Sequence, residues 1–343
     1  MKIISSISIM CLISLLCLCF FTRFALSFQA GRKFRVEQNR TPATNVNSSK
    51  NLTTLVTGGT DGLGRAASIL LAQRGYHVFA GSRNAERRAA LEKTARERKL
   101  PLEAINLDVT DDDSVGRAVA EVERRAGPVE VLVNNAGVVF AAAIEEIRIA
   151  DMRRQFETNF LGVIRVTQRV LPEMRRRRRG RIVNMSSIAG KTSMPIMGPY
   201  SASKFALEAI SDSLRLEVLP FGIHVALIEP GIIPTSIGAN ARELSATYAE
   251  SAPSSPYGPI YQGVMNYFEN GAKAARTTPE DCARVILRAV EDDPPRARYL
   301  VAPDAKVASL MKWLLSDRAF DRGIAKRLRI DEPRDAAKTG TGK

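Results

Sequence analysis

The chain has 343 residues, of which 45% are hydrophobic and 25% are charged, which excludes disorder throughout and suits one large globular domain with extensions. The formal net charge is +14, but the basic residues are scattered and no interleaved aromatic pattern indicates a nucleic-acid surface. We therefore expect no nucleic-acid partner, and the excess charge favours solvation or attraction to an anionic membrane. Three of the four cysteines precede residue 20, which excludes a disulfide within the folded part. The two histidines are not spaced as metal ligands, so we expect no metal site.

Residues 1–27 are predicted to be a membrane anchor or a signal segment. The run from Ile3 to Phe21 is almost wholly apolar, close to the lower limit for a membrane span. Basic residues follow it, so a retained anchor would leave the rest of the chain on the cytoplasmic side of a membrane of the endoplasmic-reticulum type. The alternative is cleavage near Ser27, which would send the chain along a secretory or plastid route. Residues 28–50 are predicted to be a disordered basic linker.

The first predicted strand, Asn51 to Thr57, runs into a glycine-rich turn, T-G-G-T-D-G-L-G, and then into a helix from Arg65 to Arg74. Such a turn lets backbone N–H groups approach a pyrophosphate at the positive end of the helix. The sequence therefore predicts a dinucleotide site. Its candidate residues here are Gly58, Thr60, Asp61, Gly62, Leu63 and Gly64.

The second predicted strand, His77 to Gly81, ends in Ser82-Arg83. A carboxylate at this point would hold the ribose 2′-hydroxyl of NAD, whereas an arginine suits the 2′-phosphate of NADP. Because no acid is present here, Arg83 favours NADP(H) over NAD(H) as the cofactor.

Two more strand and helix units follow in the same pattern. The strand from Leu102 to Leu107 leads to Asp108-Val109, and the strand from Val129 to Val133 leads to N-N-A-G. A long helix is then predicted from Ala150 to Arg179, with Asn159 among apolar neighbours. Gly180 is the predicted helix stop, after a run of five arginines at the negative end of the helix.

The candidate catalytic residues lie between Asn184 and Lys204. Tyr200 and Lys204 are four apart at the start of a predicted helix, so both side chains lie on one face about one turn apart. Ser187 follows a predicted strand and can approach the same point. An ammonium beside a phenol predicts a pKa for Tyr200 lowered from about 10 toward neutrality, which suits proton transfer to a substrate oxygen held by Ser187.

These motifs, in this order, resemble those of the classical short-chain dehydrogenases/reductases. The resemblance rests on T-G-x3-G-x-G, N-N-A-G, S-x12-Y-x3-K and P-G-x3-T, and it covers roughly Leu52 to Leu328. It implies a single Rossmann-fold domain of the α/β class, over residues 51–330. The implied sheet is doubly wound and parallel, with seven strands in the order 3-2-1-4-5-6-7 and helices on both faces.

The resemblance also assigns roles to residues. Asn159 would distort its helix and hold a water that links Lys204 to solvent, and Lys204 and Tyr200 would also contact the nicotinamide ribose. Asp108 and Val109 would lie beside the adenine. The remaining implied cofactor contacts are Asn134, Asn135, Ala136 and Gly137 near the ribose and central sheet, and Pro230, Gly231, Ile232 and Thr235 near the nicotinamide and phosphate.

The C-terminal part is predicted to cover and complete the domain. Residues 236–277 form a long polar insertion with several aromatic residues, which suggests a lid over the substrate. A helix from Pro279 to Glu291, a strand from Tyr299 to Ala302 and an amphipathic segment from Lys306 to Leu328 follow. Within this segment, core packing is the default expectation for Trp313, Leu314 and Leu315, and the alternatives are a wall of the pocket or a contact with a partner. Residues 331–343 are predicted to be a disordered tail.

The run F-A-L-E-A-I-S-D-S-L-R-L-E after Lys204 resembles the retinol and hydroxysteroid dehydrogenase branch. It implies an NADP(H)-dependent oxidoreductase that interconverts a carbonyl and an alcohol on a lipophilic substrate, associated with a membrane through its N-terminus and assembled as a homodimer or homotetramer. The alternatives are a 3-oxoacyl or 3-ketosphinganine reductase and, from another class, a non-catalytic NADP-binding scaffold of the same fold.

Overall fold

The computed structural model describes residues 51–330, and all structural statements below refer to them. The predicted anchor or signal segment, the basic linker and the C-terminal tail lie outside the described residues. Within 51–330, no helix combines the length and the apolar character needed to cross a membrane.

The core of the domain is one sheet of seven parallel strands in the order β3-β2-β1-β4-β5-β6-β7, which confirms the predicted fold. Its central strands are buried on both faces, as expected where helices cover a parallel sheet on both sides. The strands are β1 Thr53–Thr57, β2 His77–Ser82, β3 Leu102–Asn106, β4 Val131–Asn134, β5 Gly180–Met185, β6 Ile223–Pro230 and β7 Arg298–Val301.

Two helical layers sandwich this sheet, each with its own cluster of buried apolar side chains. On one face, Leu71 and Ile286 belong to the first cluster; on the other, Val119 and Val166 belong to the second. The α-helices are α1 Gly62–Gln73, α2 Ala85–Glu97, α3 Asp112–Ala126, α4 Ile149–Phe156, α5 Gly162–Arg177, α6 Gly198–Val218, α7 Ser236–Leu244, α8 Ala246–Ser251, α9 Gly258–Ala274, α10 Pro279–Glu291, α11 Pro303–Leu314 and α12 Asp317–Leu328.

The strand order reverses between β1 and β4, which are neighbours in the sheet although two strands separate them in sequence. In open parallel sheets, the crevice outside the carboxyl ends of the strands at this point is where ligands bind. The glycine-rich turn follows β1 and the N-N-A-G segment follows β4, so the topology brings both to one edge.

The long helix predicted from Ala150 to Arg179 is interrupted. A π-helical turn, Glu157–Leu161, separates α4 from α5 and contains Asn159. The predicted stop at Gly180 is wrong, because Arg178 ends the helix in the left-handed conformation with φ 52°. Its guanidinium donates to the carbonyl of Pro220 at 2.7 Å, which helps to hold this residue.

Residues 236–277, for which the sequence predicted a lid, contain the three helices α7, α8 and α9, and the name lid is kept for this segment. Their apolar side chains form a third buried cluster with the segment after β4, in which Tyr248 and Tyr261 pack near Phe140 and Ile196. The core packing expected for Trp313 is wrong: this side chain is 80% exposed on α11. The amphipathic pattern of the segment predicted its helices but not which of its apolar residues would be covered.

Candidate active site

The glycine-rich turn forms a cradle that side chains would fill. Gly58 has φ +62°, and a Cβ there would lie 2.9 Å from Cα of Ala136. A Cβ at Gly64 would lie 2.3 Å from the carbonyl oxygen of Gly58. Only glycine fits these close approaches, so the backbone of the turn and the N-terminus of α1 remain accessible to a pyrophosphate.

The N-N-A-G segment fixes the shape of this turn. The amide of Asn135 donates to the carbonyl oxygens of Thr57 and Gly58 at 3.1 and 3.0 Å. In return, the backbone N–H groups of Asn135 and Ala136 each donate to the hydroxyl of Thr57 at 3.0 Å. The two motifs predicted to contact the cofactor therefore form one hydrogen-bonded unit.

Asn134 lies on the other side of that unit, inside the sheet. Its amide donates to Thr167 at 3.2 Å and to Asn184 at 2.9 Å, and Asn184 donates to Ser211 at 2.9 Å. Asn134 thus joins the strands to α5 and α6, which agrees with the expected support of the central sheet.

Asp61 has three structural partners that the sequence did not indicate. One carboxylate oxygen accepts from the backbone N–H of Gly62 at 2.8 Å and caps α1. The other accepts from the hydroxyl of Ser236 at 2.6 Å and pairs with Arg87 at 2.7 Å. The beginning of the lid is therefore anchored to the turn, and Arg87 offsets a negative charge that would otherwise repel a phosphate.

Arg83 lies at the end of β2, as predicted, and pairs with Asp108 at 3.4 Å. Burial acts to raise the pKa of Asp108, but hydrogen bonds from Thr110 and the charge of Arg83 outweigh it, so the pKa is lowered. Arg88 reaches the same strand end and donates to the carbonyl oxygens of Ser82 and Arg83 at 2.7 and 2.9 Å. Arg83 and Arg88 therefore lie at the end of β2, while Arg87, on the first turn of α2, pairs with Asp61 after the neighbouring strand β1.

Val109 packs against α5: a Cβ at Gly162 would lie 2.8 Å from its side chain. Beside Asp108 and Arg83, a cleft of about 270 Å³ opens between Thr110, Val138 and the two arginines Arg153 and Arg154 of α4. Arg83 itself lines this cleft, so the cleft adjoins the end of β2.

Asn159 is fully buried in the π-helical turn. Its side-chain oxygen accepts from the backbone N–H of Val138 at 2.8 Å, and its amide donates to the carbonyl of Val138 at 2.9 Å and to Ser203 at 3.0 Å. Gly137 lies between the two side chains: a Cβ atom added to it would be 3.3 Å from the side-chain oxygen of Asn159 and 4.0 Å from Nζ of Lys204. The structure thus brings Asn159 and Lys204 to the same side of Gly137.

Tyr200 and Lys204 share one face of α6, with Nζ of Lys204 5.7 Å from the centroid of the phenol ring. Lys204 is buried and donates to the carbonyl of Met185 at 2.7 Å, so its ammonium is fixed at the end of β5. Ser187 caps the short helical turn that follows β5, through a hydrogen bond from the backbone N–H of Ala189 at 3.1 Å. Its hydroxyl also reaches the carbonyl of Pro230 at 3.5 Å.

The pKa of Tyr200 is shifted in the opposite direction from the one predicted. Burial raises it to about 12, and the neighbouring Ser187 hydroxyl only partly opposes this. Burial also lowers the pKa of Lys204 to about 8, against the charge of Glu208. Desolvation disfavours the phenolate, and it outweighs the stabilisation by the Lys204 ammonium that the sequence predicted. This phenol therefore keeps its proton at neutral pH.

The loop from Pro230 to Thr235 completes the edge. The backbone N–H of Gly231 donates to Val301 at 3.0 Å, and that of Ile232 donates to the carboxylate of Asp304 at 2.8 Å. The side chain of Thr235 lies beside Gly62, at 3.6 Å from the position of a Cβ there. The loop therefore adjoins the glycine-rich turn.

The sequence reasoning missed a group of buried charges behind Lys204. Glu208, one turn further along α6, and Glu229, at the end of β6, both approach Arg298, at 2.9 and 3.2 Å. Glu229 is fully buried and also lies 3.2 Å from Lys191. An acid four residues after Lys204 and another directly before Pro230 were visible in the sequence, but only the fold brings them together.

The arrangement fits a nicotinamide dinucleotide. The cradle at Gly58 and Gly64 admits backbone contact with a pyrophosphate, and the half-buried phenol of Tyr200 lies at the same sheet edge. No group of His, Cys, Asp or Glu within residues 51–330 could hold a metal ion. Fold and cradle together define the class of Rossmann-type oxidoreductases that use a dinucleotide, with Tyr200 as the candidate proton donor.

Comparison with known proteins identifies the family. The family model described as short chain dehydrogenase matches residues 52–245, and the chain belongs to the classical short-chain dehydrogenases/reductases. In structure, it is similar to a short-chain dehydrogenase from Streptomyces avermitilis, with a TM-score of 0.65, 31% identity, and coverage of 82% of this chain and 97% of the other.

Three curated relatives are similar over most of their length. The uncharacterized oxidoreductase YusZ of Bacillus subtilis is 37% identical, over 80% of this chain and 97% of the relative. The NADPH-dependent 3-dehydrocapnine reductase of Ornithobacterium rhinotracheale is 32% identical, over 80% and 96%. Retinol dehydrogenase 8 of Bos taurus is 34% identical, over 72% and 80%.

Proposed function

We propose that this oxidoreductase uses NADP(H) to interconvert a carbonyl and an alcohol on a lipophilic substrate. The observation that carries the proposal is the convergence of Tyr200, Lys204 and Ser187 beside the glycine cradle. The similarity to retinol dehydrogenase 8 supports a lipophilic substrate.

In the proposed mechanism, the dinucleotide supplies hydride when bound at the Gly58 to Gly64 turn. Ser187 holds the substrate carbonyl oxygen, and Tyr200 donates its proton to that oxygen as negative charge develops. The phenol is protonated at neutral pH, as an acid in the reductive direction must be, and its pKa of about 12 means that release of the proton depends on the ammonium of Lys204 to stabilise the phenolate.

Lys204 and Asn159 prepare this transfer. Lys204, with a pKa of about 8, is mainly an ammonium at pH 7 and stabilises negative charge left on the phenol. The hydrogen bonds that Asn159 makes to Val138 and Ser203 hold the π-helical turn open near Lys204. We propose that a water at this turn returns the proton from solvent.

The preference for NADP(H) follows from the charges at the end of β2. Arg83 and Arg88 lie at this point, Arg87 lies on the first turn of α2, and no carboxylate follows β2 directly to hold a ribose 2′-hydroxyl. A 2′-phosphate placed here would meet a positive surface. The NADPH dependence in the name of the 3-dehydrocapnine reductase supports the same assignment.

The 3-dehydro substrate in that relative's name also favours a second candidate function, the reduction of a 3-oxo group, as in the 3-oxoacyl or 3-ketosphinganine reductase considered above. The two candidates share every step at Tyr200 and differ only in what the lid admits. The hydroxyls of Tyr248 and Tyr261 donate to Asp151 and Glu146, and both tyrosines are buried in the third apolar cluster, so they hold the lid in place.

The test is the oxidation of NADPH and NADH by the purified full chain against retinoid, steroid and 3-oxoacyl thioester carbonyls. We expect turnover with NADPH and at least one apolar class. The acceptor class with the highest kcat/KM distinguishes the two candidates. Tight NADPH binding without turnover on any member would contradict the proposal and favour the non-catalytic scaffold of the same fold.

For the cell, we propose that the chain acts at a membrane surface. The apolar run near the N-terminus and the excess of basic residues support this placement. Fractionation of the full chain, with and without residues 1–27, tests it: loss of membrane association on removal supports an anchor, and full recovery in the soluble fraction of the intact chain would contradict it.

A further inference from the structure

Helix α11 presents an apolar face that nothing within residues 51–330 covers. Val307, Leu310, Met311 and Leu314 recur at the spacing of one helical face, and Leu310 and Trp313 are 53% and 80% exposed. Ala305 on the same helix is fully buried and marks the side that packs on the domain. A contiguous exposed patch of this kind marks a site of interaction rather than ordinary surface.

Positive charge surrounds this patch. Residues 303–330, which comprise α11 and α12, contain seven lysines and arginines against three aspartates. Two of these aspartates are engaged: Asp304 accepts from the backbone of Ile232 at 2.8 Å, and Asp317 pairs with Lys312 at 2.6 Å. The apolar face therefore projects from a positive surface. A second copy of the same surface would meet it with like charge, which disfavours self-association here.

The helix pair also borders the candidate active site. Asp304 at the start of α11 holds the loop that contains Ile232. On α12, Arg327 stacks over the ring of Tyr267 in the lid at 5.0 Å. The carbonyl oxygen of Leu328 lies close to Gly263 in the lid: a Cβ atom added to this glycine would be only 2.6 Å from it. A molecule that covers α11 therefore lies next to the lid.

We propose that α11, with the basic residues of α12, docks onto an anionic lipid bilayer. Trp313 and the apolar face enter the interfacial region, and Lys306 and the arginines of α12 contact acidic headgroups, as in other amphipathic helices at membrane surfaces. This contact is separate from any N-terminal anchor. The contact with lipid does not depend on the proposed function. The further step, in which a lipophilic substrate passes from the bilayer to the lid, rests on the proposed function.

The chain contains a single tryptophan, so the fluorescence of the intact protein reports on Trp313 alone. Vesicles of phosphatidylcholine, with and without phosphatidylserine, are added to the full chain, and quenching by brominated phosphatidylcholine is recorded. We expect a blue shift and strong quenching with anionic vesicles, both weakened by salt. If only the N-terminal segment binds the vesicles, Trp313 stays in water and is not quenched. The proposal is therefore overturned if the protein sediments with vesicles while the fluorescence of Trp313 is not quenched.

Two variants sharpen the test. Leu310→Glu should lower the affinity for anionic vesicles, read from Trp313, by about tenfold. Leu219→Glu, equally exposed but at the far end of α6, should leave it unchanged. If the emission of Trp313 is already blue-shifted without vesicles, the chain itself or a second copy covers the patch. If neutral vesicles give the same response as anionic ones, the surface does not select for charge. Either result overturns the proposal.

Discussion

Lys204 lies one turn after Tyr200 on α6, yet its ammonium donates to the carbonyl of Met185 at 2.7 Å and stands 5.7 Å from the centroid of the phenol ring. The pair is therefore close enough for a charge on one to act on the other, while burial keeps the phenol protonated. This relationship favours proton donation to a carbonyl oxygen.

Replacement of Arg83 by glutamine should weaken NADPH binding about tenfold, because a cation close to the ribose 2′-phosphate is lost, while NADH binding should change little. Isothermal titration with both dinucleotides measures this difference. Arg96→Gln, on the exposed surface of α2, is the matched control and should leave both affinities unchanged. Equal losses for NADPH and NADH in Arg83→Gln would contradict the cofactor assignment.

The buried carboxyl of Glu229 should make stability depend on pH near neutrality. Burial raises its pKa from 4.5 to about 7, with Glu208 acting in the same direction. Between these values, the folded state keeps a proton that the unfolded state releases, so the carboxyl's contribution to the free energy of unfolding falls as pH rises. Glu229→Gln removes this dependence. Relative to wild type, the variant should gain up to about 3 kcal/mol between pH 4.5 and pH 8.

Urea unfolding of both proteins at several pH values in this interval measures that difference. Glu97→Gln, on the exposed surface of α2, serves as the control and should follow the wild type throughout. A constant difference between Glu229→Gln and wild type across the interval would show that Glu229 is ionised in the folded protein over the whole range.

The family resemblance predicts a dimer through the helices that carry Asn159 and Tyr200. On these elements Leu161 and Phe205 are 42% and 43% exposed, so large apolar side chains are available to such an interface. We expect light scattering to give the mass of a dimer or a tetramer of dimeric units. Phe205→Glu should shift it toward the monomer, since burial of an unpaired charge in the interface is unfavourable. Leu310→Glu on α11 should leave the mass unchanged. An unchanged mass for Phe205→Glu would place the interface elsewhere.

The fold and the positions of the local motifs could be predicted from the sequence because they depend on short-range patterns. Gly58 and Gly64 stand at fixed offsets in one turn, and Tyr200 and Lys204 are one helical turn apart. The parallel sheet and its strand order were implied by the family resemblance that these motifs carry. Such features need only the nearby chain to be recognised.

What the sequence could not show are contacts between distant segments. The pairing of Arg83 with Asp108 and the link from Asp61 to Ser236 join residues that only the sheet edge brings together. The pKa of Tyr200 depends on how deeply α6 is buried, which spacing does not reveal. Trp313 was expected in the core because its neighbours are apolar, but the domain covers only the other side of α11.

The most direct test of the central claim is the turnover of Tyr200→Phe with a substrate that the wild type reduces. Loss of the proton donor should lower kcat by about a thousandfold, while the affinity for NADPH, measured by the fluorescence of the bound cofactor, stays within about threefold of wild type. Circular dichroism should show an unchanged fold. A correctly folded Tyr200→Phe protein that reduces the same substrate at the wild-type rate would contradict the account.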